Sequence, residues 1–325
     1  RENKISPTEA VDIIQKYNIK YFKGLGTSDR KTVIKYFENL DYYLKSVQVD
    51  DDSKEKIDML YSEKRSNDRK KWILDGNQGD FDYSSSTFNL TDLLQHEIHD
   101  FSMESLTRAI PHVMDGLKES QRKVLFSSFK KFKATNNTEF KIAQLGSYAA
   151  GETNYLHGEK SIQDSITKMC QNFPGSNNLN LLSPNGQLGS RLQMGKDAAS
   201  PRYTYTKLMK YTRMIFNQDD DHLLDYRFEE GSLIEPNHYV PIVPMVLVNG
   251  SNGIATGFRS QIPQFNPLEI INHLQQRIDV SFPKQKPLLP WYYNYKANHL
   301  TKQDNEGMKW IFKGISFIYN AQEPE

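Results

Sequence analysis

The sequence predicts a multidomain α+β protein, and three observations carry that prediction. The chain has 325 residues, enough for two or three domains with cores of their own. Helical segments follow one another from "LTDLLQHEIHDFSMESLTRAI" at 90–110 to "GEKSIQDSITKMCQNF" at 158–173. A Gly/Asn/Pro-rich stretch comes next, and then the apolar, β-branched run "YVPIVPMVLVNGSNGIATGF" at 239–258.

Taken in order, residues 8–16 predict a helix with Thr8 as a candidate N-cap. "IKYF" at 19–22 reads as a short strand before a glycine turn, and Thr27 or Ser28 is placed to cap the next helix, "DRKTVIKYFENLDYYL". A strand, a Gly-rich turn and a capped helix start form a place where backbone N–H groups face an anion. Residues 54–75 predict an exposed helix carrying Trp72. "DGNQGDFDYSSS" at 75–86 has the composition of a linker.

The helix from residue 90 is interrupted by Pro111. "MDGLKESQRKVLFSSFKKF" and "KIAQLGSYAAGE" supply the second and third helices of the series. These helices, followed by "PGSNNLNLLSPNGQLGSRLQMGKD" at 174–197, suggest a helix-turn-helix domain with a long wing. Pro241, Pro244 and the Asn249-Gly250 pair break the later apolar run into edge-like strands and turns.

The net charge of +1 neither favours nor excludes nucleic acid, but the charge is segregated. "KESQRKVLFSSFKKFK" at 118–133 holds Lys118, Arg122, Lys123, Lys130, Lys131 and Lys133 against Glu119 alone. Such a run is a basic groove or simply a solvated helix face. The single cysteine, Cys170, excludes an internal disulfide framework and fits a reducing compartment. No apolar run is long enough to span a membrane, and no signal peptide is seen. The chain opens without Met and stops just after an apolar run, so a piece of a longer polypeptide is expected.

In "KDAASPRYTYTK", Arg202 precedes Tyr203 in a segment that Pro201 keeps out of a helix. A phenol has a pKa of about 10, so a tyrosine nucleophile needs a cation, a base or a metal beside it. Arg202 offers a charge and a bidentate grip on a phosphate oxygen. His157, in "YLHGE", is a candidate acid, base or phosphate ligand. The plain alternative is a surface arginine beside a packed aromatic.

Several segments together resemble the cleavage-and-religation core of type IIA DNA topoisomerases of the eukaryotic kind. They are "IKYFKGLGTS", "RAIPHVMDGLKESQRKVLF", "KIAQLGSYAAGETNYLHGEKS", "QNFPGSNNLNLLSPNGQLGSRLQMGKDAASPRYTYTKL" and "YVPIVPMVLVNGSNGIATGF", in that order. The resemblance implies the C-terminal part of a TOPRIM α/β domain at 1–75, a linker at 76–89, a winged-helix cleavage domain at 90–225 and the start of a β-rich tower at 226–325. It implies that Tyr203 attacks a DNA phosphodiester to form a 5′-phosphotyrosyl link, with Arg202 and His157 as its catalytic neighbours. Lys23, Arg108, Lys118, Arg122, Lys123, Gln187, Lys196 and Ser200 become expected DNA contacts.

The resemblance further implies double-stranded DNA and a second copy of the chain as partners, with Mg2+ and ATP as cofactors of the whole enzyme. The family's metal ligands lie upstream of the Lys-Gly-Leu-Gly-Thr motif, so no metal is assigned to residues of this chain. The isolated chain is expected to bind DNA and to cleave it poorly. Asn185 stands where the family has an isoleucine that wedges between bases, so the wedge is expected to be weaker or moved to Leu188. Leu156 and Met194 are further departures and suggest a divergent member, such as one from a large cytoplasmic DNA virus. The expected location is the nucleus for a cellular member and the host cytoplasm for a viral one. Rival readings are a non-catalytic winged-helix module and a tyrosine-dependent DNA breaker of recombination.

Overall fold

The computed structural model describes residues 28–76, 81–132, 138–229, 231–278 and 287–295, and the strand backbones at 299–302 and 310–313. The expected helix at 8–16, the strand at 19–22 and Lys23 lie outside the described residues.

The first described elements are helices α1 (Arg30–Glu38) and α2 (Leu40–Tyr43). Asp29, rather than Thr27 or Ser28, caps α1 by accepting a 2.9 Å hydrogen bond from the Thr32 N–H. The expected single helix at 54–75 is two, α3 (Ser53–Tyr61) and α4 (Ser66–Asp75), joined by a 3-10 turn. Trp72 on α4 is half-buried: its indole N–H donates to Gln95 Oε1 at 2.7 Å, and its ring meets His99 edge-on. Strand β1 (Ser46–Gln48) pairs in parallel with β2 (Thr87–Asn89), so the end of the expected linker is tied into a sheet.

Helix α5 (Leu90–Ala109) stops where Ile110 turns extended ahead of Pro111. The centre of the molecule is a trio of helices: α6 (Glu119–Lys131), α7 (Ile142–Glu152) and α8 (Glu159–Cys170). Their apolar residues recur at helical spacing. Ile162, Ile166, Met169 and Cys170 of α8 face Val124 and Leu125 of α6 and Leu145 and Ala149 of α7 within one core. Burying a leucine or isoleucine of this kind contributes roughly 1.5–3 kcal/mol.

A small antiparallel sheet leans on this trio. Strand β3 (Phe140–Lys141) pairs with β4 (Tyr205–Thr206). On the other side of β4, Asn185 bridges to Tyr205 and Leu182 to Leu208. In β4 and the two residues leading into it, Thr204 and Thr206 are buried while Tyr203 and Tyr205 are exposed, so the alternation of the strand extends back to the end of the preceding turn.

Beyond this sheet lie a short helix α9 (Thr212–Ile215) and the hairpin β5 (Tyr226–Glu229) and β6 (Ser232–Pro236). The expected edge strands near Pro241 and Pro244 are replaced in part by helix α10 (Met245–Val248). Pro244 is pre-set for a helix start, and its carbonyl accepts from the Leu247 and Val248 N–H groups. A second hairpin, β7 (Ser251–Ile254) and β8 (Arg259–Ile262), follows, then helix α11 (Pro267–Ile278) and the paired strands β9 (His299–Lys302) and β10 (Trp310–Lys313).

Part of the Asn-rich stretch expected to be wing is core instead. Asn178 is buried and its side-chain nitrogen donates to the carbonyls of Val248, Phe265 and Trp291. It ties the loop after α8 to three later segments.

Candidate active site and nucleic-acid interface

The segment Ser200–Tyr203 is a tight turn closed by a 2.8 Å hydrogen bond from the Tyr203 N–H to the Ser200 carbonyl. It sits against the start of α7. The N–H of Ala143 donates to the Pro201 carbonyl and that of Ile142 to the Thr204 carbonyl, both at 3.0 Å. First-turn N–H groups have no partner inside their own helix, so the turn and the helix start satisfy each other. Tyr203 itself is 72% exposed. The Arg202 guanidinium carbon lies 6.0 Å from the Tyr203 ring centroid, at the outer limit of a cation–π contact.

The loop leading to this turn is braced from inside. The Asp197 carboxylate accepts from the Ser190 N–H at 2.8 Å, and this bond holds its carboxyl below the usual range. The Ala199 N–H donates to the Gln187 carbonyl at 2.9 Å, and Gln187 Oε1 accepts from the Gly189 N–H at 2.8 Å. Met194 adopts φ 52° and Gly195 φ 79°, two left-handed residues in succession. Lys196, Gln187 and Arg202 are exposed along this loop, and Ser200 is half-buried.

His157 is exposed and lines a groove with Lys160, Ser161, Asp164 and Lys168 that runs from the start of α8 to its last turn. Its ring meets Tyr155 edge-on at 5.4 Å. No hydrogen bond or ring contact among the described residues joins it to Arg202 or Tyr203. Lys118 is half-buried close by: burial, and then the like charge of Lys168, push its ammonium below the usual value. A lysine whose charge is disfavoured beside another cation marks a place where a phosphate would lower the energy. Sequence reasoning singled out neither Lys160 nor Lys168, although both stand on the helix expected in that segment.

The basic run at 118–133 is not the open groove it suggested. Arg122 is buried, with Nε 2.7 Å from Asp115 Oδ2 and Nη2 3.1 Å from Asp115 Oδ1. Lys123 is buried and donates to the Thr153 carbonyl at 2.9 Å and to Glu235 Oε2 at 3.0 Å. Lys130 pairs with Glu152 at 2.9 Å, and Lys131 lies over the Tyr148 ring at 4.6 Å. Arg122 and Lys123 therefore meet carboxylates inside the fold rather than an external phosphate. Burying these charges is tolerable only because each finds an opposite charge and hydrogen bonds.

Neither expected wedge fits either. Leu188 is 5% exposed and belongs to the core. Asn185 is half-buried, strand-paired with Tyr205, and its side-chain nitrogen is buried without a partner. The hairpin β7–β8 instead ends in Ile254, an isoleucine that is 74% exposed. Arg259 is its cross-strand neighbour. A Cβ added at Gly253 would lie 2.3 Å from the Ala109 carbonyl oxygen, so the hairpin presses on the end of α5 beside Arg108. The Arg108 side chain is 42% exposed. An exposed apolar residue flanked by two arginines suits entry between base pairs.

Among the described residues no group of three or more His, Cys, Asp or Glu side chains could hold a metal ion.

A phenol and a guanidinium on a braced turn, with a lysine-lined groove along the neighbouring helix, form a site suited to a DNA phosphodiester. Residues 108–316 match the profile of the A subunit of DNA gyrase/topoisomerase IV, and residues 7–106 match the C-terminal associated domain of TOPRIM. The chain belongs to that gyrase/topoisomerase IV family, as a segment of the type IIA topoisomerase class. The two matched regions meet at 106–108, near the end of α5.

The chain is 44% identical over 292 residues to the mitochondrial DNA topoisomerase 2 of Dictyostelium discoideum, covering 89% of this chain and 22% of that protein. It is 39% identical to the DNA topoisomerase 2-alpha of Rattus norvegicus, covering 94% of this chain and 20% of the relative. It thus spans about a fifth of the length of these relatives. The crystal structure of the Plasmodium falciparum topoisomerase II DNA-binding, cleavage and re-ligation domain superposes with a TM-score of 0.76 at 38% identity, covering 92% of this chain and 41% of that one. These relatives are cellular eukaryotic proteins, and the expected viral origin finds no support in them.

Proposed function

We propose that the chain is the DNA cleavage-and-religation segment of a type II DNA topoisomerase. The observation that carries this reading is the presentation of Tyr203, exposed beside Arg202 on a turn fixed to the start of α7. The Tyr203 oxygen attacks a backbone phosphorus, the bond from phosphorus to the 3′ oxygen breaks, and the tyrosine is left esterified to the 5′ phosphate. The phenolic proton is lost and the 3′ oxygen gains one. Attack by that hydroxyl on the same phosphorus reverses every change. One phosphodiester replaces another, so no external energy is needed to reseal the strand.

Arg202 neutralises charge that builds on the phosphoryl oxygens. Lys118, Lys160, Lys168 and His157 hold the duplex along α8, with Gln187, Lys196 and Ser200 facing it from the loop. We assign the wedge to Ile254, flanked by Arg108 and Arg259.

In domain terms, α6–α8 with the β3–β4 sheet read as a winged helix, and residues from 226 onward as the start of a tower. Mg2+, ATP, a second copy of the chain and a nuclear location belong to the whole enzyme in this reading.

The test is full-length protein against Tyr203→Phe on supercoiled plasmid. Loss of relaxation and of the protein–DNA covalent complex, with DNA binding retained, supports the assignment. Relaxation at the parent rate would sink it and favour a DNA-binding module without chemistry.

A further inference from the structure

We infer that Gln171 is a positioning residue for the nucleophile, an inference that rests on the reading of Tyr203 above. Gln171 caps the C-terminus of α8 and is 7% exposed. Its side-chain Nε2 donates to the Leu188 carbonyl at 2.8 Å and makes a longer contact, 3.5 Å, to the Gly195 carbonyl. One amide thus grips two passes of the loop that carries Lys196, Arg202 and Tyr203. The fit is close: a Cβ added at Gly195 would lie 2.3 Å from that same nitrogen. Gln171 is held in turn, since its own carbonyl accepts from Asn177 Nδ2 at 2.8 Å.

The placement gives this contact a consequence. Helix α8 has 12 residues and is therefore about 18 Å long. His157 and Lys160 stand at its start, and Gln171 grips the tyrosine loop at its end. The groove residues run along the helix as far as Lys168 in its last turn, so one rigid helix carries both the groove proposed to hold the duplex and the anchor of the loop that bears the phenol. The outer loop bonds, Asp197 to Ser190 and Ala199 to Gln187, shape the loop but attach it to nothing else. Among the described residues, the Gln171 side chain anchors it to the helix.

The experiment uses the full-length enzyme and measures covalent complex formation, DNA affinity and thermal midpoint for parent, Gln171→Met, Gln171→Glu and Tyr203→Phe. Misplacing a reacting group by an ångström slows chemistry by up to about a hundredfold. Gln171→Met is expected to form the complex at least about tenfold more slowly, with affinity and midpoint close to the parent.

Gln171→Glu sets a carboxylate against the Leu188 carbonyl at pH 8, and its protonated form regains a donor. Its rate relative to the parent is expected to recover as the pH falls from 8 to 6. Cleavage by Gln171→Met at the parent rate would overturn the inference. So would a Gln171→Glu ratio that ignores pH, or losses that merely follow affinity and midpoint. Tyr203→Phe separates the two claims: covalent complex in that variant would sink the nucleophile assignment itself.

Discussion

Lys123 Nζ lies 2.9 Å from Glu235 Oε1, across 112 positions of sequence. Glu235 is fully buried and Lys123 nearly so. Arg227 joins the pair, with Nη1 3.1 Å from Glu235 and 3.0 Å from Glu119. The contact clamps the β5–β6 hairpin onto helix α6, so the second half of the chain is bolted to the trio that carries the site.

Removing one partner of this pair is expected to be severe. Lys123→Met leaves the Glu235 carboxylate buried and loses roughly 3–5 kcal/mol of stability in denaturant unfolding. The double variant Lys123→Met/Glu235→Met recovers most of the loss, because a buried apolar pair carries no unpaired charge. Burial already pushes the Glu235 carboxyl above its ordinary 4.5. A raised carboxyl binds its proton more tightly in the folded state. This group therefore favours folding at low pH and costs stability above its raised value. The Lys123→Met defect should shrink as the pH falls through that window. A defect of equal size at every pH would show that the lysine acts by packing alone.

Arg202→Lys keeps the charge beside Tyr203 but not the planar fork. Losing one preorganised donor at a site of developing charge costs on the order of a hundredfold in rate. Covalent complex formation should fall by about that factor with little change in DNA affinity. Parent-like cleavage would mean that a diffuse positive charge suffices.

Ile254→Ala should reduce DNA bending, read by energy transfer between dyes at the two duplex ends, without lowering the thermal midpoint. Asn185→Ala should leave the bend unchanged. Leu188→Ala should instead destabilise the fold by about 2–5 kcal/mol, as expected for a buried leucine. An unaltered bend in Ile254→Ala would remove this residue as the wedge.

Cys170 is fully buried, and burial pushes its thiol up to about 12 from 9.0. It should be inert to a thiol-specific reagent in the folded protein at pH 8 and react once the chain unfolds. Because the thiol is raised, its contribution to stability is present below about pH 9 and lost as the pH rises towards about 12. Rapid labelling under native conditions would show that α8 opens locally.

The local chemistry of this protein was legible along the chain. Pro201 bars a helix at Arg202-Tyr203, and the periodicity of Ile162, Ile166 and Cys170 marks α8, because both depend on neighbours a few residues away. The long matching segments pointed to the family by their length, their specific residues and their order. Where each charge goes was not legible in this way.

Arg122 and Lys123 look like any other basic residues until Asp115 and Glu235 are brought beside them. Leu188 and Ile254 are both branched apolar residues, yet one fills the core and the other stands in solvent. Burial and ion pairing are properties of distant segments meeting, and no residue carries them in its own identity. The order of residues was enough to set an arginine at the side of Tyr203. Which cations remain free to meet DNA, and that Gln171 ties the tyrosine loop to α8, emerged only when the chain was folded.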